Sequence, residues 1–203
     1  MNRNDRELDV VLIDAGGSNI GSVRNALQRL GVEAILSTDA GRIRVATHAI
    51  LPGVGAAAPG MQRLRDCHLV DVVRGLTQPV LGVCLGMQLL FERSEEGDTA
   101  CLGLIPGEVR HFPQEASLRV PHMGWNSLRV ERDSALFAGV RAEPHVYFVH
   151  SYAAPMTAHT VASAEHGSRF AAIVQHGNFH GMQFHPERSG PIGAQLLKNF
   201  LSL

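Results

Sequence analysis

The sequence predicts an α/β fold, doubly wound around a mostly parallel mixed sheet, with hairpins added in its second half. Three observations carry this prediction. Short β-branched runs end at glycines, stretches of helical spacing lie between them, and from Val109 onward strand-like runs alternate with turn residues and show little helix. Strands buried on both faces read as continuous apolar runs, and strand–helix alternation leads to parallel pairing through right-handed crossovers.

Val10 to Ile13, in DVVLIDAGG, is the first such strand. Ser18 or Asn19 can cap a helix whose apolar positions Ile20, Val23, Leu27 and Leu30 share a face, and Gly31 stops it. A second strand is expected over 34–36 and a third in HAILP. The glycine-rich loop PGVGAAAPG leads into one helical stretch over 61–76, then a strand in PVLGV and a helix over 86–94. In the second half EVRHF, NSLRV, HVYFVHS, TVASAEHG, FAAIVQHG and HGMQFHP read as strands, before a last helix over 192–203.

The 203 residues suit a single domain over 1–203, with 45% hydrophobic and 18% charged side chains. Eighteen basic and nineteen acidic residues nearly cancel, so no electrostatic footprint for nucleic acid or an anionic membrane is present. The apolar runs fall far short of the roughly 20 residues that span a bilayer. Cys67, Cys84 and Cys101 are an odd set in a chain large enough to need no bridges, and no signal peptide precedes Leu8; a reducing cytoplasm is expected.

The tripeptide CLG occurs at Cys84 and at Cys101, and context separates the two. Cys84 lies between a strand and a helix in Gly82-Val-Cys-Leu-Gly86, a nucleophile-elbow frame in which small residues two before and two after permit a sharp turn. There the thiol gains the field of a helix N-terminus, and the Leu85 amide becomes a candidate oxyanion donor. Any α/β protein contains strand–glycine–helix turns, so the frame alone does not decide. Cys101 precedes LGLIPG, which forbids a helix, and reads as a small buried residue; Cys67, on the helical stretch, reads the same way.

A thiolate needs a base and a group that orients it. In HGMQFHPER, His185 and Glu187 stand two apart on chain expected to be extended, so both project to one side, with Pro186 biasing His185 toward extended geometry. The plainer alternative is a loop with a surface ion pair. His180 and His185 are an odd number apart and face opposite ways, which disfavours a metal site built with His176; His145 and His150 fail by the same parity. DAGGSNIGS matches neither phosphate-loop pattern. PGVG, at 52–55, can lay backbone amides beside Cys84 as a second oxyanion donor or merely turn the chain, and spacing does not choose between these.

PGVG, GVCLGMQLLFERSEEG and GMQFHPERS closely resemble the class I, triad-type glutamine amidotransferases. LGLIPGEVRHF, PHMGWNSL and YFVHSY add a nearly end-to-end resemblance to the branch formed by glutaminase subunits of imidazole glycerol phosphate synthase. The resemblance implies a flavodoxin-like fold in which Cys84 attacks the glutamine side-chain amide, His185 relays the proton and Glu187 orients the imidazole. It further implies an oxyanion hole from Leu85, Gly53 and Val54, with the loop peptide near Val54 turning before its amide points inward. Glutamine contacts fall on Gly55, Gln88, Ser151 and Tyr152. No cofactor and no metal are implied. The implied partner is a (β/α)8-barrel cyclase subunit, bound as a heterodimer through a face that includes Asn19, Met123, Trp125 and Arg188; the alternative for Trp125 is a core or half-buried aromatic. Arg188 departs from the lysine common after H-P-E, and arginine is not a neutral replacement where geometry is tight.

Other readings are an amidotransferase of a different branch, which would usually carry a PGG-type loop, and a regulatory subunit without hydrolysis, which the intact Cys84, His185 and Glu187 oppose. A cysteine peptidase would call for an extended peptide groove that nothing in the sequence suggests.

Overall fold

The structure is a computed structural model that describes residues 7–16, 20–114 and 118–203. Its first half runs β1 (Val10–Ile13), α1 (Ile20–Arg29), β2 (Ala34–Ser37), α2 (Ala40–Val45), β3 (His48–Gly53), α3 (Ala57–Asp66), α4 (Val70–Arg74) and β4 (Val80–Cys84). These four strands pair in parallel in the order β2-β1-β3-β4. The strand pleat then divides the core in two. Val10, Leu12, Ile50 and Leu81 pack with Val23 and Leu27 of α1 on one face, while Val11, Ile13, Ala49 and Leu51 pack with Met61, Leu64 and Val73 on the other. Burial on both faces is why β1 and β4 carry no polar side chain other than the Cys84 thiol, whereas β2, at the sheet edge, leaves Ile35 and Leu36 exposed.

The second half contributes α5 (Leu85–Gln88), β5 (Phe91–Ser94), β6 (Thr99–Ala100), β7 (Ile105–His111), β8 (His122–Ser127), β9 (Arg129–Val130), β10 (His145–His150) and β11 (Tyr152–Ala153). It ends with β12 (Thr160–His166), β13 (Ser168–His176), β14 (Phe179–Met182) and α6 (Gly190–Phe200). β14 joins β4 in parallel, and β13, β12 and β9 extend the sheet antiparallel to eight strands. The hairpin turns use Gly167 and Gly177, at φ +70° and +57°. The remaining strands leave the main sheet: β10 and β8 form an antiparallel pair, and β11-β7-β5-β6 a separate four-stranded sheet.

Two helical expectations are corrected. The single helix over 61–76 is two helices, because α3 closes in a Schellman arrangement. His68 N–H donates to Arg65 O (2.9 Å) and Leu69 N–H to Leu64 O (2.8 Å), with His68 at φ +56° where glycine usually stands. Cys67 is therefore a partly buried helix cap packed at the edge of the core, not a fully buried residue. The helix expected over 86–94 stops after one turn, and Phe91 enters β5 opposite Ile105 of β7, a tertiary pairing that overrides local propensity. α2 is an addition, capped by the Asp39 carboxylate on the Arg42 N–H. The cap expected at Ser18 or Asn19 lies outside the described residues.

Candidate active site

Cys84 is the last residue of β4 and takes φ +52°, ψ −111°, a strained conformation for a side chain with a Cβ. Glycines make that turn possible. A Cβ at Gly86 would lie 1.8 Å from the Leu51 carbonyl oxygen, one at Gly82 2.5 Å from the Gly86 carbonyl oxygen, and one at Gly53 2.8 Å from the Gly86 nitrogen. The G-x-C-x-G frame and the PGVG loop are thus one packing unit, with Gly53 paired to Cys84 across β3 and β4. α5 is only four residues long, so the helix-field argument for the thiol shrinks to a single turn of N–H groups. The stronger influence on Cys84 is His185.

His185 follows β14, and its N–H donates to Tyr147 O (2.9 Å). Residues Pro186–Arg188 form a 3₁₀ turn, which corrects the expectation that His185 and Glu187 share extended chain. The tighter turn still brings them together: the Glu187 Oε1 to His185 Nδ1 distance is 2.8 Å, with the two side chains 8% and 1% exposed. Nδ1 donates to the carboxylate, leaving Nε2 for the hydrogen bond to Cys84. Burial opposes charge on this ring, but the hydrogen bonds and charges of Cys84 and Glu187 outweigh it and push the pKa up to about 10. The arrangement favours a protonated imidazole held between the carboxylate and the sulfur. Ser189 braces it, donating to His185 O (2.7 Å) and accepting from the Tyr147 N–H (3.0 Å).

A cavity of about 360 Å³ opens on this pair and gathers Val54, Gly55, Leu85, Gln88, Ser151 and Tyr152 around Cys84 and His185. Gly53 packs against the elbow instead of lining the cavity. Glu96, which no motif in the sequence marks out, also faces the cavity, and its carboxylate accepts the Ala57 N–H (2.7 Å). Its only signal is one acidic side chain in FERSEEGD, indistinguishable by pattern from its solvated neighbours. A larger cleft of about 810 Å³ lies between Asn126–Val130 and Phe137–His145, but none of its lining residues is a cysteine.

Residues 11–203 match the family Glutamine amidotransferase class-I. The chain belongs to that family. Among relatives of this amidotransferase, the Imidazole glycerol phosphate synthase subunit HisH of Xanthomonas axonopodis pv. citri is 58% identical over 195 residues, covering 96% of this chain and 98% of the relative. The protein of the same name from Xylella fastidiosa is 55% identical over the same shares. The solved structure of PurLQS from Thermotoga maritima superposes with a TM-score of 0.71 at 18% identity, covering 95% of this chain and 97% of that one. It shares the fold.

The other cysteines of the amidotransferase are unlike Cys84. Cys101 is buried, and burial pushes its thiol up to about 11. On β8 the side chains of Met123 and Trp125 point outward, 62% and 58% exposed, so Trp125 is not a core aromatic. Arg188 is exposed as well, and Asn19 lies outside the described residues. No described helix is long and apolar enough to cross a membrane.

Three buried histidines are held neutral. His150 Nδ1 lies 2.7 Å from Tyr152 O and must donate to it, so its Nε2 accepts from His122 Nδ1 (3.0 Å), and His122 Nε2 accepts from Asn126 Nδ2 (3.2 Å). Burial pushes His122 and His180 down to about 4. Burial, helped by the charges of neighbouring histidines, takes His150 to about 3 despite the Tyr152 hydrogen bond. The folded state therefore binds fewer protons than the unfolded chain below the ordinary histidine value of 6.5. Stability is fully present above that pH and drains as pH falls toward 4 and 3, by up to roughly 3 kcal/mol each for His122 and His180 and up to roughly 5 kcal/mol for His150. His185 works in the opposite sense, contributing below pH 6.5 and losing its contribution as pH rises through about 10. Urea unfolding at stepped pH should show a steep loss between pH 6.5 and 4; a flat curve across that window contradicts the neutral assignments.

Proposed function

We propose that this chain is the glutaminase subunit of an imidazole glycerol phosphate synthase, hydrolysing glutamine to glutamate and ammonia. The observation that carries the reading is the buried Glu187–His185–Cys84 line ending at the cavity, in a chain 58% identical to a subunit of that name. In this reading His185 takes the thiol proton and Cys84 Sγ attacks the substrate's side-chain amide carbon. Oxyanion charge falls on the N–H groups of Leu85 and of the Gly53–Val54 loop, the latter after the peptide near Val54 turns inward. His185 returns the proton to the departing ammonia, leaving a thioester that water, deprotonated by the same ring, cleaves to glutamate. Glu187 holds the ring and offsets its charge. Gly55, Gln88, Ser151 and Tyr152 hold the substrate's amino-acid end, and the Glu96 carboxylate supplies an anion for its ammonium.

The unit proposed is one domain over 1–203, working in the cytoplasm without cofactor. Its partner is a (β/α)8-barrel cyclase that receives the ammonia and makes imidazole glycerol phosphate and aminoimidazole carboxamide ribotide in histidine biosynthesis. Asn19, Met123, Trp125 and Arg188 form the contact face; an exposed methionine and tryptophan side by side on one strand suit a protein partner.

The test measures glutamate release by the chain alone, then with the barrel cyclase and its ligand. Slow turnover alone and a large rise in the complex are expected. Equal rates in both would remove the partner's control, and no hydrolysis in either would remove the function.

A further inference from the structure

β14 runs parallel to β4 with Met182 beside Val83, so the next residue along, Gln183, comes up beside Cys84. Its backbone N–H still pairs, to Ala172 O (2.9 Å), and its side chain is fully buried. A buried side-chain amide has to place its donors and its acceptor within the protein. Gln183 Oε1 lies 3.0 Å from Gln88 Nε2, and Gln183 Nε2 lies 3.7 Å from Cys84 Sγ.

Which end of the amide faces the sulfur follows by elimination. Tyr152 O can only accept, and it lies 2.9 Å from Gln88 Nε2, so that end of Gln88 is the nitrogen. The second N–H of the same nitrogen requires an acceptor, which turns Gln183 Oε1 toward Gln88. Gln183 Nε2 is left facing Sγ. A flipped Gln183 would set N–H against N–H at Gln88 and an oxygen against the sulfur. Sγ also lies 3.8 Å from Val149 O, a carbonyl that accepts from a thiol and repels a thiolate. The two sides of the sulfur therefore differ, with a donor on one and an acceptor on the other.

We propose that Gln183 is a catalytic residue of this amidotransferase, its side-chain N–H donating to the Cys84 sulfur and stabilising the negative charge it carries before attack and on release. The amide neither gains nor loses a proton; the thiol proton goes to His185. Gln88 is the positioning residue that prevents the flip. This inference rests on the reading of Cys84 as nucleophile.

Gln183→Glu keeps the length and the acceptor toward Gln88 but puts an oxygen in place of the donor, and Gln183→Met removes both. The Cys84 alkylation rate with iodoacetamide at pH 7, followed by peptide mapping so that Cys67 does not contribute, should fall roughly tenfold in either variant, the scale of a hydrogen bond to a charged group. Glutaminase kcat should fall about 10- to 100-fold with KM within about twofold. Should Gln183→Met lose the fold, the near-isosteric Gln183→Glu carries the comparison, its unfolding midpoint measured alongside. Folded Gln183→Glu with alkylation and kcat within twofold of wild type overturns the proposal. Cys84→Ala, run in parallel, separates the two claims: if it still hydrolyses glutamine, the nucleophile reading itself fails.

Discussion

Cys84→Ala is expected to abolish glutamine hydrolysis, with a loss of about 10⁴-fold or more, because the side chain hydrogen-bonded to His185 and able to form the covalent intermediate is removed. The variant should still bind the proposed barrel cyclase, and that complex should still make product from added ammonium salt at high pH, since only the ammonia source is lost. Cys101→Ala is the control. Its thiol is buried, pushed up to about 11 and hydrogen-bonded to Thr99 O at 3.5 Å, so glutaminase activity should be unchanged. Glutamate release and ammonium-dependent synthesis measured for both variants decide the matter. A dead Cys101→Ala beside an active Cys84→Ala would overturn the elbow assignment.

Gly86→Ala should cost the fold about as much as Cys84→Ala costs the reaction. The added Cβ would sit 1.8 Å from the Leu51 carbonyl oxygen, and both are backbone-fixed, so no rotamer change relieves the overlap. α5 would have to move off β3, and the turn that strains Cys84 would open. We expect destabilisation of about 4 kcal/mol or more, read as a collapse of the urea midpoint, with loss of hydrolysis. Gly21→Ala makes the contrast. Gly21 lies in α1 with open space where its Cβ would be, and alanine there should stabilise by roughly 0.5–1 kcal/mol. Equal effects at the two positions would contradict the packing account of the elbow.

The elbow illustrates how far local pattern reaches. Gly82, Cys84 and Gly86 are close in the chain, and the chemistry of a sharp strand-to-helix turn is written in their spacing. His185 and Glu187 are also legible as a pair. Their geometry is not, because Pro186 suits the first turn of a 3₁₀ segment as well as it suits a strand. The end of α3 is hidden because His68 adopts a backbone conformation that glycine usually announces. β5 has the local pattern of a helix because what holds Phe91 extended is its pairing with Ile105, on β7.

Residue types and spacing by themselves determined the alternation of buried strands and helices, the frame around Cys84 and the pairing of His185 with a carboxylate. Tertiary structure alone decided that Gln183 meets the sulfur and that Glu96 faces the cavity. Gln183 is 99 positions from Cys84, Gln88 is 95 from Gln183, and Glu96 reaches the site from a turn outside the main sheet. Such contacts depend on the register of β14 beside β4 and on the folding of β5 to β7 over the elbow. The physical reason is one of range. Hydrophobic period and turn chemistry act over a few residues, while the orientation of a buried amide is set by which donors and acceptors the packed strands bring within about 4 Å of it.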